Sequence, residues 1–448
     1  MLKHMHHIHR KRGKNLGVWE LVAIALGGMV GGGIFTILGI SVAMIGAWTP
    51  LAIAIGGVIA GLAAYSYVKL GVYYKDEGAT YAFVKRTFPS RPFAASLLGW
   101  WVIFGYISTL ALYAYTFSAY AISASQWAQD EWVRKAVAGA VIAVFTLINV
   151  WSVKGMGRIE DVMVYTKLLI LLVISVLLIR AGEMSLPELL RQESGIDPLK
   201  IIIVALITFV AYEGFQLVIN AVNEMDRPER NIPRAIYTAI FLAVCIYVII
   251  ALGAILAIPF PDIIKNQEYA LAAGAKDVLG QMGSDVVILG ALLATMSAIS
   301  GTVFGASRQL AAIAEDGYFP ALMARRSRNI PVYAILTMST LAFGLILSGS
   351  LRVILEFGSI TFLLVSFLMA WTNYKIRLKT HSHPLITLLA LFGLAGGTFF
   401  ILYYEATKHP EQLVFVGVIY ALLTAGAYAY ARLVRARVMR GENKGAGK

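Results

Sequence analysis

The chain has 448 residues, 59% of them hydrophobic and 14% charged, and a net charge of +13. Soluble domains carry about a quarter of their residues charged, so this composition excludes a disordered chain and a soluble enzyme of this length. One cysteine, Cys245, excludes an intramolecular disulfide framework and a cysteine-based metal cluster.

The opening stretch MLKHMHHIHRKRGKN has no apolar h-region, and the first apolar run is a full span, so no cleavable signal peptide is expected. His4, His6, His7 and His9 suit a stray metal, but a solvated basic tail is the blander and better reading. Twelve apolar runs follow: 18–43, 49–72, 94–124, 133–152, 160–181, 199–222, 234–258, 284–312, 332–349, 352–373, 384–404 and 412–432. Most hold enough helix for an apolar layer about 30 Å thick, the ninth being short. They are continuously apolar, whereas a transmembrane barrel shows alternating segments of about ten residues. The joints are too short for a soluble catalytic domain. No span carries paired carboxylates, an HExxH pattern or a Ser/His/Asp set, so an enzyme is not expected, and nothing calls for a cofactor or metal.

Lys and Arg in the joints set the orientation. With both termini inside, 26 fall in inside segments and 9 outside. Lys69, Lys167 and Arg308 lie within spans. The basic charge therefore orients the chain in a bilayer and does not point to nucleic acid.

Span one contains Gly27-Gly28-Met29-Val30-Gly31-Gly32-Gly33-Ile34-Phe35. Each glycine inside a helix costs about 1 kcal/mol relative to alanine. Unpaired backbone in lipid is tolerated only against a polar cavity or a ligand. A break facing a ligand is one reading; close packing through Gly27/Gly31 and Gly28/Gly32 is the other. Span six sets Glu213 beside Gly214 in mid-span, where an acidic residue costs about 2.5–3.5 kcal/mol. Glu213 is expected to face a cavity or be protonated, with a hydrogen bond to a neighbouring helix as the structural alternative. The two interrupted spans stand five apart. That matches two five-span units of opposite orientation, and paired broken helices at corresponding positions point to a transporter's site. The organisation expected is a basic cytoplasmic tail over 1–17, a first unit over 18–181, a second over 199–373, two further spans over 384–432 and a basic tail over 433–448.

Lys167 sits in span five, about 10 Å from its inside end. It either snorkels or turns inward as an amine that gains and loses a proton. For Lys69 and Arg308, nearer span ends, snorkelling or a loop contact is the better reading. Glu160, Asp161 and Glu356 receive no role.

Four segments carry a resemblance. Met29 to Phe35 resembles the G-(S/T/A)-G-I-F signature of the amino acid–polyamine–organocation superfamily. Glu77 to Val84 resembles its segment entering helix three. Phe209 to Phe215, with Glu224 to Ile236, resembles helix six and the loop after it. Ala306-Ser307-Arg308, continuing through Ala314 to Pro320, resembles the end of helix eight. The four stand in family order and cover spans one to eight. The segment from Met156 through Thr166-Lys167 to Leu171 is most similar to archaeal proton-coupled members.

The resemblance implies an all-α membrane protein of 12 transmembrane helices. They form a LeuT-like 5+5 inverted repeat with helices 1 and 6 broken, plus two extra helices. It implies secondary active transport of amino acids across the cell membrane by alternating access, as proton symport. The alternatives are an exchanger and a sensor that binds without transport. The partners implied are an amino acid, protons and the lipid bilayer. The substrate carboxylate would meet the N–H groups of Gly32, Gly33 and Ile34, the N-terminus of a half-helix. Its ammonium would meet the carbonyls of Met29, Val210, Ala211 and Glu213. In proton-coupled members the matching lysine amine stands where sodium-coupled relatives hold a sodium ion. Lys167 is thus the implied coupling residue, touching backbone near Gly27 and a hydroxyl on span eight, with Ser297 the candidate. Two departures stand out. Gly32 replaces a hydroxyl residue, and Val210 replaces a bulky aromatic gate of some exchangers. Glu213 would attract cationic side chains, carry a second proton or pin a neighbouring helix.

The charge bias makes one testable statement. Single cysteines placed in either tail are expected to resist membrane-impermeant labels in intact cells; labelling of a tail from outside overturns the orientation.

Overall fold

The computed structural model describes residues 16–151, 156–182, 185–192, 195, 197–266, 269–327, 330–348 and 351–439. The tail histidines and the side chains of Glu160 and Asp161 lie outside the described set. The described residues are helical throughout, apart from turns, short connections and two isolated β-bridges. In chain order the helices are α1 (Val18–Met29), α2 (Gly32–Ile45), α3 (Thr49–Tyr74), α4 (Ala79–Thr87), α5 (Pro92–Ile122), α6 (Glu131–Trp151) and α7 (Met156–Ala181). Next come α8 (Leu186–Gln192), α9 (Pro198–Thr208), α10 (Leu217–Asn220), α11 (Pro228–Ala257), α12 (Phe260–Lys265) and α13 (Ala270–Glu315). The last are α14 (Ala321–Ala324), α15 (Val332–Ser348), α16 (Leu351–Lys375), α17 (Pro384–Lys408) and α18 (Pro410–Met439).

Local chemistry explains many of the boundaries. Proline opens α5, α9, α11, α17 and α18, where its missing N–H costs nothing and its φ is already helical. Asp197 caps α9 by accepting the Leu199 N–H at 2.9 Å. Ten helical stretches are long and apolar enough to cross a membrane, with Gly32–Tyr74 counted as one, while α1 and α15 are apolar but shorter. The difference from twelve uniform spans has physical causes. The first span is divided by its glycines, and α2 runs into α3 through a three-residue 3-10 turn at Gly46–Trp48. The helix expected over 284–312 begins earlier, at Ala270, and bends at Gly280, whose φ is 75°. Lys276 and Asp277 interrupt its first ten residues, and Gln281, Ser284 and Asp285 follow closely, so this stretch lacks a span's continuous apolar character.

Burial sorts centre from rim. The apolar windows of Pro92–Ile122 and Pro198–Asn220 are 78% and 89% buried, against 17% for Pro410–Leu433. Helix α5 and the interrupted α9–α10 segment therefore form the centre. Helix α18 turns Val414, Val418 and Leu422 outward, a surface suited to lipid chains. Among the inner helices, α13 packs on α5 and α7, and α1 on α11 and α13.

The two interruptions meet at the centre. An added Cβ on Gly214 would lie 2.5 Å from the Gly28 carbonyl carbon, and one on Gly28 would lie 3.1 Å from Gly214 Cα. Gly214 also holds φ +128°, a conformation only glycine adopts cheaply. Gly214→Ala is therefore expected to cost about 2 kcal/mol or more in stability. Gly344→Ala, where the added Cβ meets nothing within 4 Å, should be neutral or mildly stabilising. Thermal unfolding of the detergent-purified variants compares the two.

Candidate substrate and coupling site

Helix α1 stops at Met29. Val30 (φ −81°, ψ 76°) and Gly31 (φ −123°, ψ −143°) are non-helical, and α2 starts afresh at Gly32. Gly32, Gly33 and Ile34 thus occupy the first turn of a 14-residue helix. Their N–H groups have no partner inside that helix. Among the described residues no other backbone carbonyl takes them. The second interruption runs from a 3-10 turn at Phe209–Tyr212 through extended Glu213 (ψ 139°) and Gly214 into α10.

The carbonyls released by the first break are occupied. Lys167, fully buried, donates from Nζ to the Val30 carbonyl at 2.6 Å, to the Gly27 carbonyl at 3.4 Å and to Ser297 Oγ at 2.5 Å. Of the two sequence readings for this lysine, the geometry is the inward one. It brings together α7, the break in the first span and α13. Tyr113 donates to the Gly28 carbonyl at 2.7 Å. Tyr247 stands 2.7 Å from the Met29 carbonyl and 2.9 Å from that of Ala211, so one phenol bridges both interruptions. The Met29 carbonyl also accepts the Gly31 N–H at 2.9 Å. A hydroxyl has one hydrogen and each carbonyl two lone pairs, so the Ala211 oxygen keeps capacity for a further donor, and the Met29 oxygen does so only when the phenol turns to Ala211. The Val210 carbonyl accepts the Glu213 N–H at 3.2 Å. Sequence reasoning missed Tyr113 and Tyr247. Their only signal was a phenol in an apolar span, whose hydroxyl needs a partner when buried.

The expected site residues therefore converge on two facing breaks. The space between them is small: a cavity of about 10 Å³ is lined by Gly28, Tyr106, Tyr113, Glu213 and Thr302, among others. Glu213 Oε2 accepts from Gln216 Nε2 at 2.6 Å. Away from this centre, Lys69 donates to the His381 carbonyl at 2.9 Å. Arg308 lies over the Phe304 ring and donates to the Phe304 carbonyl.

Three recognisable segments meet at one end of the bundle. Tyr81 donates to Asp316 Oδ2 at 2.9 Å, Lys85 pairs with Asp316 at 2.6 Å, and Asn223 donates to Glu77 Oε2 at 2.9 Å. Burial first, then the Asp316 carboxylate, push the Tyr81 phenol pKa up, so it remains a hydrogen-bond donor.

Residues 16–428 match the family model for amino acid permeases. The chain belongs to the amino acid permease family. The inner membrane transport protein YbaT of Escherichia coli is 32% identical, over 93% of this chain and 92% of its own. An uncharacterised protein of Methanocaldococcus jannaschii is 28% identical over 91% and 93%. The large neutral amino acids transporter small subunit 2 of Rattus norvegicus is 26% identical over 93% and 80%. This family member is thus a multi-pass membrane protein that transports amino acids, and it is not an enzyme.

The tight approach of the breaks sets a test of the free N–H groups. A Cβ on Gly33 would lie 3.1 Å from Ala211 Cα, so alanine is accommodated only if the breaks shift by a few tenths of an ångström. Gly33→Ala is expected to fold and to weaken amino-acid binding about tenfold, equivalent to about 1.4 kcal/mol. Unchanged affinity, by calorimetry or scintillation proximity, assigns these glycines to packing alone.

Proposed function

We propose that this permease is a proton-coupled amino-acid symporter of the cell membrane, working by alternating access with both termini cytoplasmic. We count twelve spans. The pair α1 and α2 makes one interrupted span and α9–α10 another; α3, α5, α6, α7, α11, α13, α15, α16, α17 and α18 make the rest. Residues 18–181 and 199–373 then form two five-span units of opposite orientation, and 384–432 supplies two more spans. The equivalent positions of the two breaks support this arrangement.

An amino acid would be held by its backbone. Its carboxylate suits the free donors and positive dipole end of α2 at Gly32, Gly33 and Ile34. Its ammonium suits the carbonyls of Met29, Val210, Ala211 and Glu213.

The observation that carries proton coupling is the Lys167 amine, buried and bonded across three elements. Protonated, it offers three donors and one charge and ties the first break to α7 and α13. Loss of the proton removes the charge and one donor, weakens the tie and shifts the balance between conformations. An exchanger without proton stoichiometry is the alternative.

Proteoliposomes separate the two. Wild-type protein should accumulate substrate under an inward proton gradient and ignore sodium. Lys167→Ala should still bind substrate but equilibrate it without gradient-driven accumulation. Full accumulation by Lys167→Ala, or stimulation of the wild type by sodium, removes Lys167 from the coupling mechanism. Uptake that requires internal substrate selects the exchanger.

A further inference from the structure

Glu213 is 2% exposed. Its Oε2 accepts from Gln216 Nε2, and Gln216 Oε1 in turn accepts the Gly214 N–H at 3.1 Å. Both bonds close within residues 213–216, so they tie the carboxyl to its own unwound segment and not to a neighbouring helix. Its other oxygen, Oε1, receives no hydrogen bond. A buried acceptor left this way is costly, and the cost is removed by any donor that reaches it.

Glu213 lines the 10 Å³ cavity between the breaks, a volume suited to about one water molecule or one hydroxyl group. Tyr106, Thr109, Tyr113 and Thr302 all bring hydroxyls to the wall, and none of them donates to Oε1. The Thr109 hydroxyl donates to the Gly105 carbonyl at 3.0 Å, and that of Tyr113 donates to the Gly28 carbonyl. Gly28 and Gly214, one from each interruption, form part of the same wall. An amino acid gripped by its carboxylate and ammonium at the breaks would therefore start its side chain beside this cavity.

We propose that the cavity receives the substrate's side chain and that Glu213 Oε1 accepts a hydrogen bond from it. The preferred cargo is then a small amino acid with a donor of hydroxyl size, of the serine and threonine class. A lysine or arginine side chain far exceeds the space. An apolar side chain of the same size displaces any water from Oε1 and gives no donor in return. The inference rests on the reading that the two breaks hold an amino acid's backbone.

Serine and 2-aminobutyrate make a matched pair, since a hydroxyl in one replaces a methyl in the other. Wild-type protein in proteoliposomes is expected to favour serine about tenfold in uptake efficiency, the worth of one hydrogen bond. Glu213→Ala should bring the ratio close to one, mainly by weakening serine. Equal use of the two by the wild type overturns the proposal without needing any variant, as does a wild-type preference for lysine over serine. A ratio unchanged in Glu213→Ala overturns it too. Absence of uptake for every amino acid overturns the transport mechanism as well, whereas equal uptake of the pair leaves that mechanism standing.

Discussion

A peptide carbonyl released from a helix inside a hydrocarbon layer needs another donor, and the centre of this protein is arranged around that need. Four successive carbonyls, from Gly27 to Val30, each meet a side-chain donor. Lys167 serves the first and last, Tyr113 the second and Tyr247 the third. The three side chains come from α7, α5 and α11, so satisfying one short stretch of backbone fixes how three helices surround it. Donors on flexible or titratable side chains also make the arrangement reversible, which a continuous helix would not be. A break stabilised in this way leaves the next N–H groups, at Gly32, Gly33 and Ile34, without a backbone carbonyl partner among the described residues.

The same centre is linked to one end of the bundle. Leu16, just before α1, pairs with backbone at Glu224 and Asp226, just after the second break. Tyr81 and Lys85 on α4 reach Asp316 beyond α13, and Lys75 pairs with Glu229 at the start of α11. These exposed or half-buried ion pairs are individually weak, on the order of 0–1 kcal/mol. In the alternating-access mechanism proposed above, weak links would suit a surface that parts and reforms, and the buried bonds at the breaks a pivot.

Much of this was legible in the sequence because membranes make it so. A span must be continuously apolar, so departures from that rule are conspicuous. The glycines from 27 to 33, Glu213 beside Gly214, and Lys167 were each visible as violations, and each lies at the centre. Their mutual geometry was legible only in part. Ser297 was named through family likeness, and it does meet Lys167. Tyr247 and Tyr113 were invisible because a tyrosine in an apolar span breaks no rule, and its role appears only once its hydroxyl has a partner. The early start of α13 was missed for the converse reason: a stretch of small residues broken by Lys276 and Asp277 has none of the contrast that marks a span.

The small space between the breaks follows from the residues that close it. At Gly28 and Gly214 backbone approaches backbone, and at Gly33 it approaches Ala211. Side chains at these points would hold the breaks apart, so the glycines allow the centre to close fully. A whole amino acid does not fit a 10 Å³ cavity; in the binding mode proposed above its side chain takes the cavity while its charged ends part the contacts at the breaks. In that proposed mode the free energy for parting them would come from the charged ends of the substrate meeting the N–H groups of α2 and the carbonyl oxygens of the breaks. A ligand lacking either charged end would have less to offset the loss of those contacts. On the binding mode proposed, selectivity for the amino-acid backbone would be a property of closure itself, and choice among side chains would fall to the walls that remain, Glu213 among them.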